Sequence, residues 1–236
     1  MAKTRSGVNQ FYLLLGGIAL IGAGTLAWMV MKPKSVSIPI GAPVEVSDTS
    51  GFRGYILGAE TAPVEVTEYA DYQCPACAGF EQVQFPTIYK QLIATGLVRW
   101  RYRDFPLDNI HSNARLAAHA AACANDQGKY WELHKMIYDR HSEWAETNRD
   151  MSGKFHEFAV DAGLNGSAYD ECMASAKYAG RIEASAQEGQ KLGVPSTPTF
   201  VIGNRMYPGA QSSDSIRAWV QALIPASPAP APPPRP

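Results

Sequence analysis

Two cysteines separated by two residues, Cys74-Pro75-Ala76-Cys77, stand where a stretch with strand character gives way to one with helix character. That junction restricts the fold more than any other feature of the chain. Before it, residues 62–70 (APVEVTEYA) alternate, with Val64, Val66 and Ala70 on one face. After it, residues 75–95 carry Phe80, Val83, Ile88, Leu92 and Ile93 at helical spacing. Two intervening residues of helix bring the sulfurs within bonding distance without unwinding the turn. At the start of the helix, Cys74 meets unpaired N–H groups and the positive end of the helix dipole, both of which favour thiolate over thiol. Cysteine in such positions has its pKa lowered from ~8.5 to ~3.5–7.5. Pro75 suits the first turn, where its missing donor is not needed. The competing reading is half of a zinc site. It requires a second close pair, but Cys123 and Cys172 are far apart and no histidine is near the motif in sequence, so a redox pair is expected and no metal.

The rest of the pattern predicts an α/β chain. Residues 97–105 (LVRWRYRDF) read as a second strand, and residues 112–191 are helical in character almost throughout. TFVIG (199–203), a Gly-Asn turn and RMYPG form a hairpin, and Ile216, Trp219, Val220 and Leu223 stripe a closing helix. The order is that of an α/β sheet interrupted by a helical insertion. An apolar content of 46% excludes a disordered chain. With 21 Lys+Arg against 22 Asp+Glu and no basic cluster, binding to nucleic acid is not expected. Four cysteines are too few for a disulfide-held miniprotein, so the domain spanning 53–224 must fold by burial.

The flanks differ in kind. After a short tail (1–10), residues 11–31 carry no charge; as a helix they span ~31 Å, matching a bilayer core of ~30 Å. A transmembrane anchor is expected rather than a cleaved signal, since the apolar run exceeds the usual ~7–15 residues. The simplest topology is single-pass, with the C-terminal domain on the extracytoplasmic, periplasmic side. Residues 32–52 mix Pro, Ser and Gly and read as a tether, and the tail 225–236 (PASPAPAPPPRP) as extended and disordered.

Glu68-Tyr69-Ala70-Asp71-Tyr72-Gln73-Cys74-Pro75-Ala76-Cys77, with Gly193-Val194-Pro195-Ser196-Thr197-Pro198-Thr199-Phe200, resembles the DsbA-type branch of the thioredoxin superfamily. The resemblance covers roughly residues 53–224, including GKYWELHKMIY (128–138) within the insertion. It implies a thioredoxin fold with a helical insertion at about 112–191, exchanging disulfides with exported proteins. It also implies a cis bond at Thr197-Pro198, where sequence alone favours trans. The substrate, an extended peptide, would pair with the backbone of Thr197 beside Pro198, Pro75 and Ala76. The dipeptide is Pro-Ala rather than the Pro-His typical of strongly oxidising members, so the redox poise does not carry over.

Glu68 can be argued without the resemblance. It is in register with Val64, Val66 and Ala70, six residues before Cys74, so alternation sends it to an apolar face. A carboxyl there is desolvated, raised in pKa and able to exchange a proton with Cys77; the alternative is a strand-end side chain that reaches water. Asp71 is assigned to the turn. Cys123 and Cys172 are either two separate buried thiols or, in an extracytoplasmic domain, a bridge worth up to ~4 kcal/mol; some relatives are similar in having one. His119 and Cys123 share a helix face, with packing expected rather than metal binding. Tyr130, Trp131, Tyr138 and Trp144 are expected to pack in the core and insertion.

The reading is a membrane-tethered enzyme that forms disulfides in unfolded or partly folded exported proteins carrying free thiols. It needs no cofactor, and the resemblance implies recharging by a membrane quinone-coupled thiol oxidase. The alternatives are a reductase or isomerase with the same site, and a non-catalytic envelope adaptor that binds extended peptides.

Overall fold

A computed structural model describes residues 6–31, 35–40 and 52–224. The chain divides into two units, residues 1–34 and 35–236. The first is a helix, α1 (Ser6–Met31), which begins five residues before the expected apolar run. Its segment Tyr12–Met29, with a mean hydropathy of 1.7, is long and apolar enough to cross a membrane by length and composition.

In the second unit, a five-stranded sheet has the order β1-β3-β2-β4-β5. Its strands are β1 (Tyr55–Leu57), β2 (Val64–Ala70), β3 (Val98–Asp104), β4 (Thr199–Ile202) and β5 (Arg205–Pro208). β2 and β3 are parallel neighbours, and the other pairings are antiparallel. The edge strand β1 was not anticipated. Three residues between Gly54 and Gly58 are too short to show alternation. Gly54 has φ +115° and lies so close to β3 that a Cβ would meet the Tyr102 carbonyl at 2.8 Å.

The helix expected over 75–95 is broken. α2 (Pro75–Val83) gives way to a short α3 (Phe85–Ile88) and then a π-helical turn, Tyr89–Ile93. Pro86 has no N–H to offer the Gln82 carbonyl, which interrupts the ladder there. The insertion supplies α4 (Ala114–Asn125), α5 (Tyr130–Asp139), α6 (Ser152–Asp161), α7 (Gly166–Ser175) and α8 (Ala179–Leu192). Every residue of α4 from Ala114 to Ala124 is buried; its alanines let neighbouring helices approach from all sides. The closing helix α9 (Ser213–Leu223) is capped by the Ser212 hydroxyl, which accepts from the Ser215 N–H.

The two faces of the sheet are covered differently. Val66, Trp100, Phe200 and Ile202 face Phe80, Ile88, Ile216 and Val220 in one apolar core. The opposite face carries Glu65 and Thr67 with Arg99, Arg101 and Arg103, and α8 lies across it, Glu188 pairing with Arg101 and Arg103. Gly189 permits that approach, because a Cβ there would meet the Phe105 ring at 2.5 Å. β2 is therefore buried on both sides, beyond the one-sided alternation its sequence displays.

One expectation for the flanks needs correction. Residues 35–40 fall in the segment read as a free tether, yet Ile38 is buried in the main core and the Val36 N–H donates to Ser152 Oγ at 3.0 Å. An isoleucine within reach of the insertion gains more from burial than from solvent. Residues 1–5, 32–34, 41–51 and the proline-rich end 225–236 lie outside the described residues.

Candidate active site

Cys74 is the N-cap of α2 in extended conformation (φ −71°, ψ 122°), with Pro75 as the first helical residue. The two sulfurs are unbridged thiols and occupy unlike surroundings. Cys74 is 8% exposed and lies against the Thr197 carbonyl at 3.5 Å; Cys77 is wholly buried. The Cys74 pKa is brought down to about 5, first by a hydrogen bond from Cys77, then by the Thr197 side chain and the backbone N–H groups of Cys77 and Ala76. Burial pushes the Cys77 thiol far up, helped by the Cys74 sulfur and by the charge of Glu68. The start of the helix thus yields one stabilised thiolate and one thiol that resists ionisation.

Thr197-Pro198 is cis and borders Cys74. Pro75 and Ala76 at the tip of α2 are both exposed, beside the sulfur.

Glu68 faces the apolar side of β2, opposite Tyr102 and Phe200 and wholly buried. Trp100 Nε1 donates to its Oε2 at 3.1 Å. Burial raises its pKa well above the carboxylate range, and the neighbouring carboxyl of Glu81 raises it further. Of the two readings for this residue, the desolvated one holds and the strand end open to water does not.

Asp71 does more than make the turn. Its Oδ1 accepts from the Gln73 N–H, while its Oδ2 accepts from the Leu107 N–H and meets His111 Nδ1 at 2.8 Å. That carboxylate raises the His111 pKa, with the Cys74 sulfur adding to it. The rest of the loop is fastened to the insertion. The Tyr72 hydroxyl sits between the Tyr130 hydroxyl and His134 Nδ1. Gln73 donates to the Ala145 carbonyl and accepts from the Asn113 N–H, and its own carbonyl accepts from His141 Nε2. His111, His141, Gln73, Glu81 and Trp100 were missed as site residues. Trp100, His111 and His141 arrive from distant stretches of chain, whereas Gln73, next to Cys74, and Glu81, four residues beyond Cys77, were open to local reasoning.

Cys123 and Cys172 are bridged (S–S 2.08 Å), joining α4 to α7. His119 packs beside them, its Nε2 accepting from the Tyr178 N–H and its pKa lowered to about 4 by burial. That makes it a satisfied neutral histidine. Tyr130, Tyr138 and Trp144 are buried, and the partly buried Trp131 donates to the Ile56 carbonyl.

A family profile described as Thioredoxin matches residues 52–222. Among curated proteins, the Na(+)/H(+) antiporter NhaA 3 of Salinispora tropica is 28% identical over 88% of this chain and 32% of its own length. The Disulfide bond formation protein D of Bacillus subtilis is 23% identical over 75% of this chain and 80% of its own. This chain therefore spans about a third of the first relatives it matches. Among solved structures, α-DsbA1 of Wolbachia pipientis superposes with a TM-score of 0.66 at 24% identity, covering 73% of this chain and 91% of that one. The profile match, together with a cysteine pair at a strand–helix junction beside a cis-proline, establishes that the chain belongs to the thioredoxin family and is built on the fold of the DsbA-like thiol–disulfide oxidoreductases.

Proposed function

We propose that this protein oxidises paired thiols in unfolded or partly folded exported proteins through a Cys74–Cys77 disulfide. A client thiolate attacks Cys74, the sulfur–sulfur bond breaks, and Cys77 leaves with the electron pair. The second client thiol then attacks the mixed disulfide at Cys74, releasing oxidised client and the Cys74 thiolate. Glu68 gives the Cys77 thiolate its proton, and the backbone of Thr197 with Pro198, Pro75 and Ala76 receives the client as an extended strand.

The observation that carries the reading is the inequality of the two sulfurs at the start of α2. A Cys74 thiolate stabilised down to about 5 favours the dithiol over the disulfide, which makes the disulfide a good oxidant. α1 would anchor the protein in the membrane with residues 53–224 on the extracytoplasmic side, where a membrane quinone-coupled thiol oxidase restores the disulfide. The bridge between Cys123 and Cys172 supports an oxidising compartment. The test is the reduction potential of the Cys74–Cys77 pair, with the Cys74 thiolate titrated by its ultraviolet absorbance. A dedicated oxidant has a potential well above that of thioredoxin, about −270 mV, and a Cys74 pKa well below that of free cysteine. A potential at the thioredoxin value with an ordinary thiol would assign the site to reduction instead.

A further inference from the structure

The loop between β3 and α4 is laid along the residues that lead into Cys74. Near its start the Leu107 N–H donates to Asp71 Oδ2 at 2.7 Å, and at its end the Asn113 N–H donates to Gln73 Oε1 at 2.7 Å. Between those ties, His111 Nδ1 lies 2.8 Å from the same Asp71 Oδ2. Asp71 is buried and opens the turn that delivers the first sulfur, its carbonyl accepting the Cys74 N–H at 3.1 Å. Leu107 also packs against the cluster of Tyr69, Phe105 and Val194, and Val194 is three residues before Thr197. The loop is thereby fixed next to both the Cys74 turn and the segment that carries the cis-proline. The Asp71 bond raises the His111 pKa, and the Cys74 sulfur is close enough to add to that rise.

Asp71 decides which ring nitrogen is free. Its Oδ1 accepts from the Gln73 N–H and its Oδ2 from the Leu107 N–H, so both oxygens serve as acceptors. His111 Nδ1, facing the same Oδ2, is then the donor, and the lone pair of the neutral ring is on Nε2. Nε2 meets no protein donor or acceptor among the described residues. The side chain is 14% exposed, and the neighbouring Ile110 is open to solvent. A buried carboxylate on one nitrogen and an open second nitrogen is the arrangement of a general base. The other charged groups nearby are engaged elsewhere. Asp108 pairs with Arg115, which also pairs with Glu183, and His141 Nε2 is bound to the Gln73 carbonyl.

We propose that His111, oriented by Asp71, takes the proton from an incoming client thiol as that thiol attacks Cys74. The step rests on the reading of Cys74–Cys77 as the client-oxidising pair, and adds the group that works on the client's side of it. The client S–H proton passes to His111 Nε2, the client sulfur bonds to Cys74 Sγ, and the Cys74–Cys77 bond breaks, Cys77 leaving with the electron pair. The ring then gives its proton to solvent. The second client thiol is deprotonated in the same way before it displaces Cys74 as the thiolate. Over the whole reaction the client loses two electrons and two protons, both protons leaving through His111. The protein's sulfurs gain the two electrons, and Cys77 a proton. An ordinary thiol is only ~3% ionised at pH 7, so a base at the point of attack can raise the reactive fraction by up to about thirtyfold. Asp71 touches no client, and acts through His111 as a positioning residue.

The test is stopped-flow reduction of the oxidised full chain in detergent by two thiols. One is a short neutral peptide with a single cysteine, of pKa ~8.5. The other is 4-mercaptobenzoate, an aromatic thiol already ionised at pH 7. His111→Gln keeps a donor for Asp71 but removes the base. At pH 7 it is expected to slow the peptide about tenfold and to leave 4-mercaptobenzoate within about twofold of the wild type. The peptide's deficit should close above pH ~8.5, where its thiol ionises unaided. Equal slowing of both thiols overturns the base role, because the ring then acts by charge or shape alone. No slowing of the peptide overturns it as well, and rapid reduction by 4-mercaptobenzoate in either case leaves the Cys74–Cys77 reading intact. An oxidised wild type that reacts with neither thiol removes that reading and this inference with it. A check on the unmodified protein needs no variant to fold. Between pH ~8.5 and ~7 the peptide's rate should fall less steeply than its thiolate fraction, and a rate that tracks that fraction throughout refutes the base.

Discussion

The molecule contains two pairs of cysteines whose surroundings treat sulfur in opposite ways. Cys123 and Cys172 are held on α4 and α7, buried among alanines, His119 and Met173, and they are bridged. Neither faces a helix start, and the bridge closes a long loop, so its value lies in limiting the unfolded chain. Cys74 and Cys77 are one turn apart at a helix start, close a very short loop, and differ sharply in their affinity for a proton. Proximity alone therefore does not set the chemistry of a cysteine pair. Helix N–H groups, a neighbouring cis-proline and an enclosed acid beneath the second sulfur separate the two pairs.

The widest gap between the pairs should appear in turnover. Cys74→Ala is expected to reduce oxidation of a dithiol peptide to the uncatalysed background, while Cys123→Ala/Cys172→Ala retains most of its rate at a temperature where it is folded. Loss of turnover in the folded double variant would make the second pair a participant instead of a brace.

The pairs should next separate in the pH dependence of stability. The Cys74 pKa is depressed in the folded dithiol, to about 5. Its stabilising effect is therefore full above the unfolded value near ~8.5 and is lost as pH falls through the folded value. In denaturant unfolding of the reduced protein the buried acids Glu68, Glu81 and Asp104 contribute an opposite slope, since their raised pKa values cost stability as pH rises. Against it, the Cys74 thiolate should add stability between pH ~5 and ~8.5, by about 5 kcal/mol at most. Cys77 works the other way, since its raised pKa costs stability only above ~8.5. The difference in stability between the wild type and Cys74→Ala should therefore grow with pH from ~5 to ~8.5. The bridge does not titrate, so Cys123→Ala/Cys172→Ala should keep the slope and lower the whole curve.

That lowering is the third difference. Removing the bridge should cost ~2–4 kcal/mol by thermal or denaturant unfolding, because the closed loop is long. The Cys74–Cys77 disulfide should give no comparable gain, and a large stabilisation on its formation would contradict the oxidising poise proposed for it.

What could be read in the sequence follows the same division. The Cys74–Cys77 pair and Glu68 are carried by local pattern, spacing and register on a strand, and Thr197-Pro198 by the family resemblance, since sequence alone favours a trans bond there. β2 and β3 were anticipated to within two residues at each end, because seven-residue strands display their character. β1 and the break at Pro86 were not. One is too short to alternate, and the other lies within a helical stripe that continues past it. The clamp around the active-site loop was invisible for a different reason. Gln73 finds Asn113, His141 and Ala145, and Asp71 finds Leu107 and His111, all across 36–72 residues of chain. No local period announces such partners; those of Gln73 exist only once the insertion has docked, and those of Asp71 only once the loop after β3 has folded back. Part of the presumed tether was misjudged similarly, since Ile38 looks like one apolar residue in a polar stretch until the core that receives it is known.

The smallest expected effect concerns that clamp, and it sharpens the comparison because the clamp touches only one pair. The Gln73 side chain makes two hydrogen bonds to the insertion, to the Ala145 carbonyl at 2.8 Å and from the Asn113 N–H at 2.7 Å. Gln73→Ala leaves a buried N–H and a carbonyl without those partners, and should cost about 1–3 kcal/mol. The loop it releases sets the position of Cys74 relative to Thr197, so the hydrogen bonds that stabilise the thiolate should weaken with it. The Cys74 pKa should then rise part of the way toward that of free cysteine, read from thiolate absorbance. His119 and the bridge lie in another part of the insertion and should keep their environment, seen as an unchanged rate of bridge reduction in mild denaturant. If Gln73→Ala lowers stability and leaves the Cys74 titration in place, the insertion braces the fold without tuning the sulfur. The start of α2 and the cis-proline would then be sufficient by themselves to set its charge.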